Sequence, residues 1–210
     1  MNPHQITRDF EAALCDYTGA RYAVTTTSCT MALLMAAAWF CHQRGPQVVS
    51  VPAKTYCSVP MSVLHAGHIV EFRDDDWQGE YRLDPLPLWD SARRFHADMF
   101  RAGEMQCLSL HVSKHLGLEQ GGVILHDDDE ADAWLRRLRF DGRTEGVPAT
   151  EDNFTMLGLH AYLSPTVSAL GLWKLSHEFP RDNADLPKPE YPDLSKFPVF
   201  FRGQRQKRVA

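Results

Sequence analysis

The chain has 210 residues, 44% of them hydrophobic and 23% charged, with 13 glycines and 13 prolines, which excludes a fibrous or wholly disordered protein. Twenty-seven acidic against 22 basic side chains leave a net charge of -5, so the surface as a whole is not built to attract phosphates, and only a local basic patch would do so. A chain of this length buries roughly 70% of its unfolded surface, enough for a core without disulfides or a structural metal. Cys15, Cys29, Cys41, Cys57 and Cys107 are scattered and form no C-x-x-C pair; with no leader-like start, they read as reduced thiols of a cytoplasmic protein. The longest apolar run, Met31 to Cys41, is alanine-rich and far short of the roughly 20 residues that span a membrane. His65 and His68 flank an Ala-Gly turn with no accompanying thiol or carboxylate set, so no metal site is expected.

In chain order the pattern alternates helices with short apolar strands, the signature of an α/β fold. Ile6 to Tyr17 carries apolar residues at helical spacing and Gly19 stops it; Arg21 to Thr25 follows as a strand. Ser28-Cys29-Thr30 precedes a helix from Met31 to His42, which ends at Gly45-Pro46. Gln47 to Val51 is a strand, Tyr56 to His65 a helix, and His68 to Arg73 a strand. Asp74 to Gly79 reads as a polar loop. Leu86 to Trp89 is a short apolar strand, after which Ser91 would open a helix. Met105 to Leu110 and Gly121 to Leu125 complete the strands. Asp129 to Arg139 and Ser164 to Glu178 read as helices, and from Phe179 onward prolines predict an extended or poorly ordered tail with a basic end, Arg202 to Arg208. The expected organisation is a binding domain over residues 1–178 and a Pro-rich segment over 179–210.

Ligands of open α/β sheets bind beyond the carboxyl ends of strands, where Ser28 to Thr30, Tyr56, Asp90 and Ser109 to Lys114 all fall. Ser28, Cys29 and Thr30 offer hydroxyls and free N–H groups at the positive end of a helix, suited to a phosphate or simply a helix cap. Asp90 ends a buried strand, where a carboxylate needs a cation or a helix to cap. Lys114, after an apolar strand and before a glycine-containing loop, is either a desolvated amine nucleophile or solvated surface.

The ordered set resembles the DegT/DnrJ-type nucleotide-sugar aminotransferases, which are fold-type-I pyridoxal phosphate enzymes. The likeness runs from Phe10-Glu11 and Tyr17-Thr18-Gly19 through Ser28-Cys29-Thr30-Met31-Ala32-Leu33 (the family's S-G-T-x-A-L, with Cys29 at its glycine) and Pro52 to Tyr56. It continues through Asp90-Ser91-Ala92, Ser109-Leu110-His111-Val112-Ser113-Lys114 (S-F-H-x-x-K), Gln120-Gly121-Gly122 and Leu138-Arg139 with Gly142. The resemblance implies a large-domain-like, mostly parallel sheet flanked by helices, with the family's small C-terminal domain missing. It implies that Lys114 forms the Schiff base with pyridoxal 5'-phosphate, that Asp90 pairs with the pyridine nitrogen, that Tyr56 stacks on the ring, and that Ser28, Thr30 and Ser109 hold the phosphate, with His111 inside the lysine motif. Arg93 stands where the family has a glutamine near the phenolic oxygen. Gly158 to Ser164 resembles G-x-N-x-R-x-S, with His160 at the asparagine that reaches the neighbouring subunit's phosphate, which implies a homodimer with shared active sites.

The implied activity is that of an aminotransferase acting on a small amine or amino acid. Alternatives are a decarboxylase or lyase acting on an amino-acid group carried by a large substrate such as a modified nucleobase in DNA, a non-catalytic cofactor-binding protein, and an unrelated α/β domain. Arg143 reads as a carboxylate receptor or as exposed surface.

Overall fold

The computed structural model describes residues 4–177 and 179–201. Its elements in chain order are α1 (Gln5–Thr18), β1 (Tyr22–Thr26), α2 (Cys29–Arg44), β2 (Val48–Pro52), α3 (Ser58–His65), β3 (Ile69–Arg73), β4 (Tyr81–Arg82), β5 (Leu88–Asp90), β6 (Met105–Ser109), β7 (Gly122–His126), α4 (Asp129–Arg139) and α5 (Pro165–Ser176), followed by two 3-10 turns at Leu194–Lys196 and Pro198–Phe201. Local chemistry sets several of these boundaries. Ser28 caps α2 by accepting from the Met31 N–H, Asp128 caps α4 by accepting from Glu130 and Ala131, and Gly19 closes α1 at a φ of 80° that favours glycine. The first turn of α4 is acidic and its last turn basic, matching the helix dipole.

Five strands form one sheet in the order β1-β7-β6-β5-β4, while β2 and β3 pair separately. Alternation of side chains divides the core between the two faces of the larger sheet. Val24, Cys107 and Ile124 point into a cluster with α2, α3 and α4; their neighbours Ala23, Leu108, Val123 and Leu125 point into a second cluster with α1 and α5. The layers are therefore helix, sheet, helix. Gly171 allows the closest approach of α5 to α1, because a Cβ there would run into the ring of Phe10.

The expected mostly parallel sheet is mixed. Only β5 and β6 pair in parallel within it; β1-β7, β6-β7 and β4-β5 are antiparallel, and β2-β3 is parallel. For β4 and β5 the cause is connection length. The few residues between β4 and β5 permit only an antiparallel return, since a parallel one needs a crossover of about a dozen residues or more. The short strand β4, absent from the sequence reading, lies at the edge where the larger sheet stops. Arg73, at the end of β3, joins the two sheets by donating to the carbonyls of Ser50 on β2 and Arg82 on β4, both at 2.7 Å, and the Ser50 N–H donates to the Asp84 carbonyl at 2.7 Å.

No helix opens at Ser91. The segment that crosses from β5 to β6 runs as turns, held because buried Glu80 accepts from the Ser91 hydroxyl at 2.6 Å and from the guanidinium groups of Arg94 and Arg101. These side-chain contacts replace helical hydrogen bonds. His68 is structural: its Nδ1 accepts from the Gln47 N–H at 3.0 Å and its Nε2 faces the Ala37 carbonyl at 2.9 Å, which ties β2 to α2.

Glu11, the acid of the Phe10-Glu11 pair, joins three elements. It accepts from the Thr25 N–H and hydroxyl at 2.9 and 2.7 Å, from Arg136 at 2.7 Å, and from fully buried Arg139. Burial works to raise its pKa, but Arg139 and Arg136 together hold it down at about 2, against an ordinary 4.5. The folded state therefore binds that proton less readily than the unfolded chain, and the stabilisation is present above about 4.5 and lost as pH falls toward 2. The stability gap between the wild-type chain and Glu11→Gln, measured by urea unfolding, should be widest near neutrality and shrink through that window. A gap independent of pH would refute this assignment.

Candidate active site

Strand directions bring the expected residues to one edge. Because β1 and β6 both run opposite to β7, and β5 runs with β6, the carboxyl ends of β1, β5 and β6 coincide. Thr26 and Ser109 both pair with Gly122, from opposite sides, and Asp90 pairs with Cys107 two residues along. Gly122 has to be glycine, since a Cβ would collide with the backbone of Ser28 and Cys29 as α2 begins above it.

A cavity of about 460 Å³ opens at this edge. Ser28, Cys29 and Thr30 line it from the start of α2, Tyr56 from the turn before α3, Asp90 and Arg93 from the end of β5 and beyond, and Ser109, His111 and Lys114 from β6 and the loop after it. His160, the tenth expected residue, lies outside. Its exposed ring pairs with Asp141 at 2.9 Å and packs edge-on against Tyr162. Arg143 is also elsewhere, donating to the Val147 carbonyl and facing Asp152.

Asp90 is 6% exposed. Its Oδ2 accepts from the hydroxyl of Tyr81, its cross-strand partner on β4, at 2.6 Å, and its Oδ1 accepts from the Ala92 N–H at 3.0 Å. Burial still pushes its pKa above the usual carboxylate value, despite these donors and the charge of Lys114. The carboxylate is therefore short of positive charge, and the cavity is the side from which more can come. Tyr81 is itself held by Thr55, with 2.5 Å between their hydroxyls.

Lys114 is half-buried, and its ammonium has no hydrogen bond or ion pair among the described residues. Burial lowers its pKa first and the nearby Arg93 charge adds to the effect, with Asp90 opposing both. An amine so placed is deprotonated more readily than a surface lysine. Cys29 behaves oppositely, because burial and the neighbouring Asp90 push its thiol well above the ordinary range, leaving a small neutral side chain where the family motif has glycine. At the start of α2, Ser28 Oγ caps the helix through Met31 and Thr30 shares a 2.7 Å hydroxyl contact with Ser58. The first turn of α2 still presents unpaired N–H groups and its positive dipole to the cavity. His111 is exposed at the rim, its Nδ1 2.9 Å from the Ser113 hydroxyl.

Sequence reasoning missed Thr55, Trp77, Tyr81, Pro189 and Tyr191. Tyr81 was hidden because two residues of β4 are too short for a strand pattern, and Trp77 because it sits in a run of aspartates. Pro189 and Tyr191 come from the segment after α5, which is extended as its prolines predict, yet returns across the molecule to the cavity. The basic end and Glu178 lie outside the described residues.

Helices on both faces of this sheet, with a lysine and a buried aspartate at its carboxyl edge, agree with the large-domain fold of the fold-type-I pyridoxal phosphate enzymes that the sequence resemblance implies. The sequence matches the family model of the DegT/DnrJ/EryC1/StrS aminotransferases over residues 3–86 and 98–180, and the chain belongs to that family. No curated protein matches it. Among solved structures it is similar to AtS13 from Actinomadura melliaura, with a TM-score of 0.72 at 18% identity, over 83% of this chain and 60% of that one. It is similar to PseC of Helicobacter pylori, an aminotransferase of pseudoaminic acid biosynthesis, with a TM-score of 0.68 at 18% identity, over 81% and 57% of the two chains. NtdA from Bacillus subtilis, whose structure holds the cofactor PMP, gives a TM-score of 0.63 at 18% identity, over 81% and 47%. The chain thus spans less than two thirds of the length of these relatives.

The donor set suits a pyridoxal-type cofactor. A carboxylate short of positive charge can face the ring nitrogen, an amine with a depressed pKa can take the aldehyde, and a helix N-terminus can take the phosphate. No helix among the described residues is long and apolar enough to cross a membrane.

Proposed function

We propose that this chain binds pyridoxal 5'-phosphate in the cavity and acts as an aminotransferase, moving an amino group from an amine donor to a small carbonyl compound. The observation that carries this reading is that Lys114 and buried Asp90 face one cavity beside the N-terminus of α2, in a chain of an aminotransferase family. When bound, the cofactor supplies an electron sink for the bonds at the substrate's amine-bearing carbon. Ser28, Thr30, Ser109 and the first N–H groups of α2 hold its phosphate, with His111 at the rim. Tyr56 would cover a face of the ring, Cys29 would line the same site, and Arg93 would stand near the phenolic oxygen. Asp90 keeps the ring nitrogen protonated. Lys114 would supply the amine that takes the aldehyde and would hold or move a proton at the substrate's amine-bearing carbon.

His160 belongs in this scheme to the cavity of a second copy. Its exposed position outside its own cavity, paired with Asp141, which lines a surface pocket with the exposed Phe154 and Leu157, supports a two-fold dimer in which each site draws on both chains. Borohydride treatment of the cofactor-loaded protein should fix the cofactor's mass on Lys114, as read by peptide mass spectrometry. Mixing inactive Lys114→Ala with inactive His160→Ala should restore part of the activity through hybrid dimers. Absence of the labelled peptide would remove the cofactor reading, and no recovery after proven subunit exchange would remove the shared site.

A further inference from the structure

The segment after α5 lies beyond the residues that match the family, yet the structure fastens it across the cavity at successive points. Arg94 donates to both carboxylate oxygens of Asp185 at 2.9 and 2.6 Å, and the Leu186 N–H donates to the Arg93 carbonyl at 2.9 Å. Lys188 pairs with Asp76 and lies over the Trp77 ring, 5.5 Å from its centroid. Buried Leu194 anchors the far end, its N–H donating to the Ala53 carbonyl at 2.8 Å. Between these tethers Pro189 and Tyr191 line the cavity. The half-buried Tyr191 ring stacks on Trp77 at an 18° interplanar angle and 6.3 Å, and meets Tyr56 edge-on at 6.4 Å. Arg93, which also lines the cavity, donates from Nε to the Leu186 carbonyl of the same segment at 3.3 Å.

We propose that residues 185–194 are a built-in wall of the active site, and that Tyr191 is its working residue, shielding Lys114 from solvent. Two observations carry this independently: the tethers at both ends, and a ring between them that touches two other cavity aromatics. Long segments without secondary structure that are held against a compact domain are usually functional, binding loops and lids among them. Tyr191 acts through Trp77 and Tyr56, so it is a positioning residue, and its value to catalysis rests on the function proposed above; excluding water strengthens every charge interaction around Lys114.

Access to the site tests the wall without using turnover. In the chain loaded with pyridoxal 5'-phosphate, hydroxylamine should discharge the visible band at least about ten times faster in Tyr191→Ala than in wild type, and within about twofold of wild type in Tyr191→Phe, which keeps the ring. Asp185→Asn, which weakens a tether outside the cavity, should fall between them and covers the case in which Tyr191→Ala does not fold. In the unloaded chain, acetic anhydride should label Lys114 faster in Tyr191→Ala and Asp185→Asn, with exposed Lys196 as the internal standard. Equal rates in wild type and both variants would overturn the wall. A wild-type chain that shows no visible band, but still shows faster labelling in the variants, would overturn the cofactor reading and leave the wall standing.

Discussion

Lys114→Ala is expected to abolish covalent attachment of the cofactor and to lower turnover by at least about 10³-fold, within the range that a positioned general base contributes when its covalent role is lost as well. Stability should change little. The ammonium has no hydrogen bond or ion pair among the described residues, so its removal orphans no acceptor, and the side chain borders an open cavity rather than a packed interior. The one electrostatic cost falls on Asp90, which loses a nearby positive charge. Thermal unfolding of the unloaded variant should match wild type within a few degrees, while the visible spectrum of the loaded variant shifts to that of the unattached aldehyde. Methylamine, supplied in solution, should restore part of the proton-transfer rate. A variant that keeps more than a tenth of wild-type turnover would show that another group serves as the amine.

Much of this site was legible because its parts sit at strand ends, where short apolar runs and the polar residue after each can be read directly. Asp90 follows Leu88-Trp89, Ser109 follows Cys107-Leu108, and Ser28 comes shortly after β1, so the point where each buried apolar run stops marks the residue that emerges at the edge. The helices that form were as readable, α4 running over the residues that its acidic start, basic end and apolar stripe mark out, whereas the helix expected at Ser91 gave way to side-chain contacts with Glu80. Strand direction was not readable, because pairing depends on which connection returns to which neighbour. A two-residue strand such as β4 leaves no periodicity at all. Tyr191 was hidden for a related reason. Proline-rich sequence encodes an extended backbone but not its destination, and the anchors that bring it back, Asp185 on Arg94 and Leu194 on Ala53, join positions about 90 and 140 residues apart, which no local pattern reports.

Asp90→Asn separates charge from shape at the same site. The amide can keep the geometry: its oxygen still accepts from the Ala92 N–H, and the Tyr81 hydroxyl, 2.5 Å from that of Thr55, can turn to donate there while accepting from the new NH2 group. What disappears is the negative charge, and with it the preference for a protonated ring nitrogen, since the shift of that nitrogen's pKa depends on an opposite charge at short range. Turnover should fall by about 10²- to 10⁴-fold, comparable with removing one preorganised charge from a transition state, while borohydride still fixes the cofactor to Lys114. The unloaded variant should be no less stable than wild type near neutral pH, because burial already raises the Asp90 pKa and an ionised carboxylate there is disfavoured relative to the unfolded chain. These two results belong together. Loss of turnover with the attachment and stability intact assigns Asp90 to the electronics of the ring; loss of stability in step with turnover would instead make it a strut for Tyr81 and β4, and would leave the ring nitrogen without a partner in this chain.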